Sequence, residues 1–226
     1  MDYHTGKNSY VLDVGSGVRI TAFILAKKYE SKVMGVDISE RMVQRSREKA
    51  RRKKVEDKVE FKIGDAQDLP FDSQIFDAVI CESVVAFPKD KQKAINEFAH
   101  VTKAQGHVGM DEVTWIEPSP PELEEYLSLA LGQTKFLKPE AWEHYLKKSG
   151  LKCIKAKIYK TNAISQWTSE VKQMNPRDYL GAWCQLFSLY FKRAEVRKWI
   201  KEIMVPPKSI WQLFEYFGYG LYTGRK

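Results

Sequence analysis

The chain has 226 residues, enough for one well-cored domain with elaborations or for two small ones. With 43% hydrophobic and 29% charged residues it has the composition of an ordinary globular protein, which excludes a fibrous or low-complexity chain. Its net charge of +8 invites an anionic partner, nucleic acid or an acidic membrane surface, yet much of the excess lies in one run, "RSREKARRKK" at residues 45–54. That run reads as the solvated face of a helix whose buried stripe is narrow: Met42, Val43 and Ala50.

Three scattered cysteines, Cys81, Cys153 and Cys184, form no CxxC pair and show no metal-ligand spacing. They offer neither a disulfide framework nor a zinc site, and a reducing cytoplasm is the expected compartment. The opening "MDYHTGKNSY" has no apolar signal core. The most apolar late stretch, residues 179–191, is too short to span a bilayer and is interrupted by Gln185 and Ser188.

Strand and helix patterns alternate from the start. Tyr10–Val14 is apolar and β-branched, as a buried strand is, and residues 19–30 put Ile20, Phe23 and Ile24 on one helical face. "KVMGVD" (32–37) reads as a second strand, and Ser39 can cap a helix running to about Lys53. "VEFKIGD" (59–65) and "FDAVICE" (76–82) read as the third and fourth strands. A helix follows over 91–103, with Ala94, Ile95, Phe98 and Val101 on one side, then a fifth strand, "HVGMDE" (107–112).

The second half stretches this rhythm. A helix is expected within 118–132, another over 139–150 ending on a glycine, and a sixth strand over 152–159. A long aromatic-rich helical segment follows, about 164–217, broken near Pro176 and at Pro206–Pro207, before a last strand in "GYGLYTGRK". The pattern predicts a doubly wound, mostly parallel seven-stranded sheet with helices on both faces. It is read as one domain over 1–226, with helical insertions at about 116–138 and 162–217.

In such a sheet ligands bind beyond the carboxyl ends of the strands. "VLDVGSG" ends the first strand on Asp13 and turns through Gly15, Ser16 and Gly17, where missing side chains let the backbone approach a ligand. Asp13 is placed to orient loop amides or to take a cationic amine. Asp37 ends the second strand about twenty residues on, where an acid bonds the two hydroxyls of a ribose, and Ile38 beside it offers an apolar surface to a base. Asp65, followed by Ala66, is placed to accept from an exocyclic amine, and Glu82 ends the fourth strand facing the same cleft. Singly these are weak signals: two glycines make many a plain turn, and an acid such as Asp37 often only caps a helix. Four acids at four successive strand ends form a set, and the set suits a ligand with ribose, adenine and positive charge.

"VLDVGSG", "GVDIS", "EFKIGDAQDLPF" and "FDAVICESV" resemble, in order and spacing over about residues 10–110, the motifs of class I S-adenosylmethionine-dependent methyltransferases. The style is that of the group containing ubiquinone- and menaquinone-biosynthesis enzymes and many small-molecule methyltransferases. The resemblance implies a Rossmann-like sheet and S-adenosylmethionine as cofactor, with S-adenosylhomocysteine as product. It puts Gly15 and Gly17 along the methionine part, Asp37 on the ribose and Ile38 on the adenine ring. Asp65 and Ala66 come at the adenine edge, and Glu82 near the transferred methyl.

The chain departs from the family in places. Arg19 stands where a third glycine is usual, Val18 where a threonine-like residue is, and "KAQG" (103–106) where a proline-and-double-glycine turn is. An arginine there can pair with the ligand's carboxylate or weaken its binding. About nine residues precede the first strand, without the helices that usually cover the cofactor, which fits a naturally short chain or a truncated one.

Methyl transfer is the expected reaction, to a small acceptor that is apolar or bears an amine, with no residue assigned as catalytic. Glu82 and Glu112 from the rim, and Trp115 and Trp167 from the insertions, are the expected substrate contacts, the insertions forming a lid over the cleft. Two alternatives stand beside this reading. RNA methylation is encouraged by charge, but "CESVVAF" lacks the proline-aromatic motif of enzymes acting on exocyclic base amines. A non-catalytic cofactor-binding module would follow if Arg19 and the changed turn abolish turnover. A homodimer through the lid also remains open.

Overall fold

The computed structural model describes residues 7–18, 20–132, 134–160 and 189–226. Its strands are β1 (Tyr10–Val14), β2 (Lys32–Asp37), β3 (Val59–Ile63), β4 (Phe76–Glu82), β5 (Thr102–Trp115), β6 (Lys152–Lys160) and β7 (Phe217–Arg225). The helices are α1 (Thr21–Lys28), α2 (Glu40–Lys53), α3 (Lys91–Val101), α4 (Pro121–Ala130), α5 (Pro139–Lys148), α6 (Ala194–Ile203) and the single turn α7 (Leu213–Tyr216).

The strands form one seven-stranded sheet in the order β3–β2–β1–β4–β5–β7–β6, and the pairs β3–β2, β2–β1, β1–β4 and β4–β5 are parallel. Chain order reverses between β1 and β4, the point at which a doubly wound sheet opens a crevice at its carboxyl edge. Because successive strand residues face opposite sides, continuous apolar runs fill two cores at once. Val11, Val33, Val59, Phe61, Ala78 and Ile80 pack with Ala22, Phe23, Leu25 and Ala26 of α1 and Val43 and Ala50 of α2. On the other face Leu12, Val14, Met34, Val79, Val108 and Met110 pack with Ala94, Ile95 and Phe98 of α3 and Trp142 and Leu146 of α5.

The chain divides into two compact units, one of residues 1–113, 137–158 and 220–226, the other of residues 114–136 and 159–219. The second unit takes in residues 116–136 of the first expected insertion but not 137 and 138. Its core holds Trp115, Leu123 and Leu127, with Phe136, Ile210, Leu213 and Phe217 packed against them. There α4 and α6 are tied by Tyr126, whose hydroxyl donates to the Ile203 carbonyl at 2.9 Å, and by the Trp199 indole, which donates to Leu129 O at 3.0 Å.

The structure corrects several boundaries. Strand β5 begins at Thr102 and ends at Trp115, not at 107 and 112. "KAQG" is therefore no turn: the register against β4 jumps from Phe76↔Thr102 to Ala78↔His107, a bulge with Gln105 at φ 66°. The carboxyl terminus holds this bulge, Gln105 N donating to Lys226 O at 3.1 Å and Lys226 N to Gly106 O at 3.0 Å. Ser39 stands at the N-cap of α2, but its side chain makes no capping bond. The described part of the long aromatic segment is α6, a 3-10 turn (Lys208–Gln212) and α7, and the chain leaves helical geometry at Pro206–Pro207 as expected. Pro176 lies outside the described residues. No helix among the described residues is long and apolar enough to cross a membrane.

Candidate functional site

The loop after β1 takes the left-handed conformations that its glycines allow, Gly15 at φ 68° and Gly17 at φ 47°. The two glycines do different work. A Cβ at Gly15 would lie 2.2 Å from Cγ2 of Val84, so here the missing side chain makes room for the protein's own valine and leaves the backbone to a ligand. At Gly17 the nearest heavy atom to such a Cβ is Asp37 Oδ2, 3.9 Å away, and the position is open. Between them Ser16 is buried, and its Oγ has no hydrogen-bond partner among the described residues. A buried hydroxyl of that kind is satisfied by a ligand or a bound water.

Asp37 ties this loop to the end of β2. Its Oδ2 accepts from Gly17 N at 2.9 Å and its Oδ1 from Ser39 N at 2.9 Å. Each carboxylate oxygen has a second lone pair, so the group can still accept from a diol. Gly15 N and Ser16 N both donate to Val36 O, at 2.7 and 3.0 Å. Helix α2 holds the loop from the other side: the Ser46 hydroxyl donates to Gly17 O, and Lys49 Nζ donates to Val18 O at 2.5 Å. Burial pushes the Lys49 ammonium below its usual value, with Lys53 and Arg52 adding to the effect. Ile38 is 72% exposed beside Asp37.

The remaining acids lie along the same sheet edge. Asp13 is buried at the end of β1. Asp65 turns back on itself, Oδ1 accepting from Gln67 N at 2.8 Å, while Ala66 puts its methyl into the core and leaves only its backbone for a ligand. Glu82 is oriented by the first hydroxyl of α1, Thr21 Oγ1, at 3.2 and 3.1 Å from its two oxygens.

Two expected substrate contacts are corrected. Glu112 has no exposed surface: its Oε1 accepts from Val84 N at 3.0 Å and Val85 N at 2.7 Å, and its Oε2 from Ala86 N at 3.3 Å. Burial, with a smaller contribution from the Asp111 charge, pushes this carboxyl up to about 7 against the downward pull of the three amides. Trp115 is 5% exposed, edge-on to Phe136 at 5.9 Å in the core of the second unit. Trp167 and Arg19 lie outside the described residues. Thr21, Ser46, Lys49 and Val84 were not expected. Ser46 carried a signal, since it falls on the same helical stripe as Val43 and Ala50.

A glycine turn, an acid on the second strand and an open apolar neighbour at the switch point of a doubly wound sheet define a nucleoside-binding Rossmann-like protein. The family model of a methyltransferase domain matches residues 5–176, and the chain belongs to that family, the class I S-adenosylmethionine-dependent methyltransferases that its motifs resemble. Among curated relatives, ajmaline N-methyltransferase of Rauvolfia serpentina is 36% identical over 91 residues, 40% of this chain and 31% of that protein. The 27-O-demethylrifamycin SV methyltransferase of Amycolatopsis mediterranei is 25% identical over 167 residues, 72% of this chain and 61% of that protein. In both, the match spans less than two thirds of the relative's length. Among solved structures, the geranyl diphosphate C-methyltransferase of Streptomyces coelicolor, bound to S-adenosyl-L-homocysteine, superposes with TM-score 0.71 at 15% identity. That superposition covers 100% of this chain and 77% of the other. At that identity the likeness speaks for the fold.

Proposed function

We propose that this chain binds S-adenosylmethionine at the carboxyl rim of β1–β4 and transfers the methyl group to a small acceptor, apolar or amine-bearing. The observation that carries the reading is Asp37, held by the Gly17 and Ser39 amides with Ile38 exposed beside it. Asp37 would take the ribose hydroxyls, Ile38 the adenine face, and Asp65 with the Ala66 backbone the adenine edge. Asp13, Gly15, Ser16 and Gly17 would line the methionine end, the Ser16 hydroxyl gaining the partner it lacks among the described residues.

When bound, the cofactor supplies an electrophilic methyl carbon already attached to a sulfonium leaving group. The protein's share is alignment of the acceptor and exclusion of water. Only an acceptor that arrives protonated needs a base, and Glu82, oriented by Thr21, is the side chain at that rim suited to accept a proton or hold an amine. A small-molecule acceptor is supported by the relatives, whose names give nitrogen, oxygen and carbon as methylated atoms. Three cysteines with neither pair nor metal-ligand spacing support a reducing, cytoplasmic setting.

Calorimetry with S-adenosylhomocysteine tests the site. The wild-type chain should bind, and Asp37→Ala should weaken binding by about tenfold or more, the size of a lost charged hydrogen bond. Unchanged affinity in a folded Asp37→Ala variant would remove Asp37 from the site.

A further inference from the structure

The first four amides of the turn after β4 are held by β5. Ser83 sits in the left-handed region at φ 54°, a strained setting for a residue with a side chain. Its amide donates to Asp111 O at 2.7 Å. The next three amides, Val84, Val85 and Ala86, all converge on the Glu112 carboxyl. Three successive N–H groups make a concavity of the kind that binds anions, and here the protein fills it with its own acid. Enclosing a carboxyl is costly, and a turn does not need one in order to form. What this one secures is the position of Val84, whose methyl occupies the space a side chain at Gly15 would take.

We infer that Glu112 is a positioning residue for the cofactor loop: by holding the amides of Val84 to Ala86 it keeps Val84 seated against Gly15, and so fixes the loop that the ligand must meet. This rests on the proposed function and adds to it a residue that touches neither cofactor nor acceptor. A chain of contact runs from β5 through the β4 turn to the β1 turn: Glu112, Val84, Gly15. At a pH above about 7, where the Glu112 carboxyl is ionised, glutamine differs from it: its carbonyl can still accept from Val84 and Val85, but its amide nitrogen would face the Ala86 N–H, donor against donor. Truncating Val84 removes the second link and leaves the first intact.

The test is a double-mutant cycle on the full chain, read by calorimetric affinity for S-adenosylhomocysteine, with thermal melts confirming that each variant is folded. Glu112→Gln and Val84→Ala should each weaken binding by about five- to tenfold. Because both act through the same contact, the double variant should be little weaker than either single one. In turnover with any accepted substrate, KM for the cofactor should rise while kcat changes little. Folded single variants with wild-type affinity would overturn the inference, and so would losses that multiply in the double variant. A wild-type chain that binds no S-adenosylhomocysteine would instead sink the proposed function, and this inference with it.

Discussion

Glu112 is a carboxyl with no exposed surface, and its burial has a measurable consequence. The ordinary glutamate value is 4.5, and burial lifts this carboxyl to about 7. Between those two values the folded protein keeps a proton that the unfolded chain has released. The group's contribution to stability is thus complete below about 4.5 and is lost as pH rises through about 7. At 1.36 kcal/mol per unit the change is on the order of 3 kcal/mol. The melting temperature of wild type relative to Glu112→Gln should fall between pH 5 and pH 8 by roughly 5–10 °C. A gap that stays flat or widens would contradict a raised value. The burial of Glu112 was legible in part: Val108, Met110, Glu112 and Thr114 alternate on one inward face. Ending the strand at 112 made the residue look like part of the rim, and only the three further residues of β5 show that it is not. The expectation for Asp37 rests on the interval from glycine turn to second-strand acid, which one βαβ unit fixes whatever the rest of the chain does.

Helix α2 shows what composition conceals at the next scale. Its basic run reads as a solvated face, yet the stripe turned inward holds Ser46 with Val43 and Ala50, and Lys49 reaches over to the loop. Polar residues on an apolar stripe look like noise until the groups they serve are seen, here the carbonyls of Gly17 and Val18. A left-handed glycine turn exposes such carbonyls, and a buried one needs a donor. Ser46→Ala should therefore cost about 1 kcal/mol, or roughly 2–4 °C in melting temperature. It should also weaken S-adenosylhomocysteine binding, since the loop it steadies meets the ligand. A variant with wild-type stability and affinity would show that the strap is incidental. Strand β4 matched its expected bounds because "FDAVICE" is apolar on both faces and flanked by turn residues. Strand β5 did not, because a bulge held by Lys226 cannot be seen from its own residues.

Across the whole molecule, the alternation of strands and helices was enough to give the sheet, since only parallel strands covered on both faces bury runs such as "YVLDV" and "KVMGVD". Less legible was the second unit, assembled from residues 114–136 and 159–219, whose core uses Trp115 from the very end of β5. Helical spacing predicts that most of its aromatic residues pack inward, which leaves Trp115 and Trp167 as the expected acceptor contacts. Trp115 went inward. The proposed nucleoside rim and the proposed acceptor site therefore stand on different footings: the first rests on strand ends that the sheet must align, the second on side chains that packing can claim. The most direct measurement is a crystal structure of this chain grown with S-adenosylhomocysteine. The account predicts the ribose hydroxyls on Asp37, the adenine against Ile38 and the amino-acid end along Gly15 to Gly17. A ligand bound elsewhere, or a rim filled by the protein's own side chains, would contradict it.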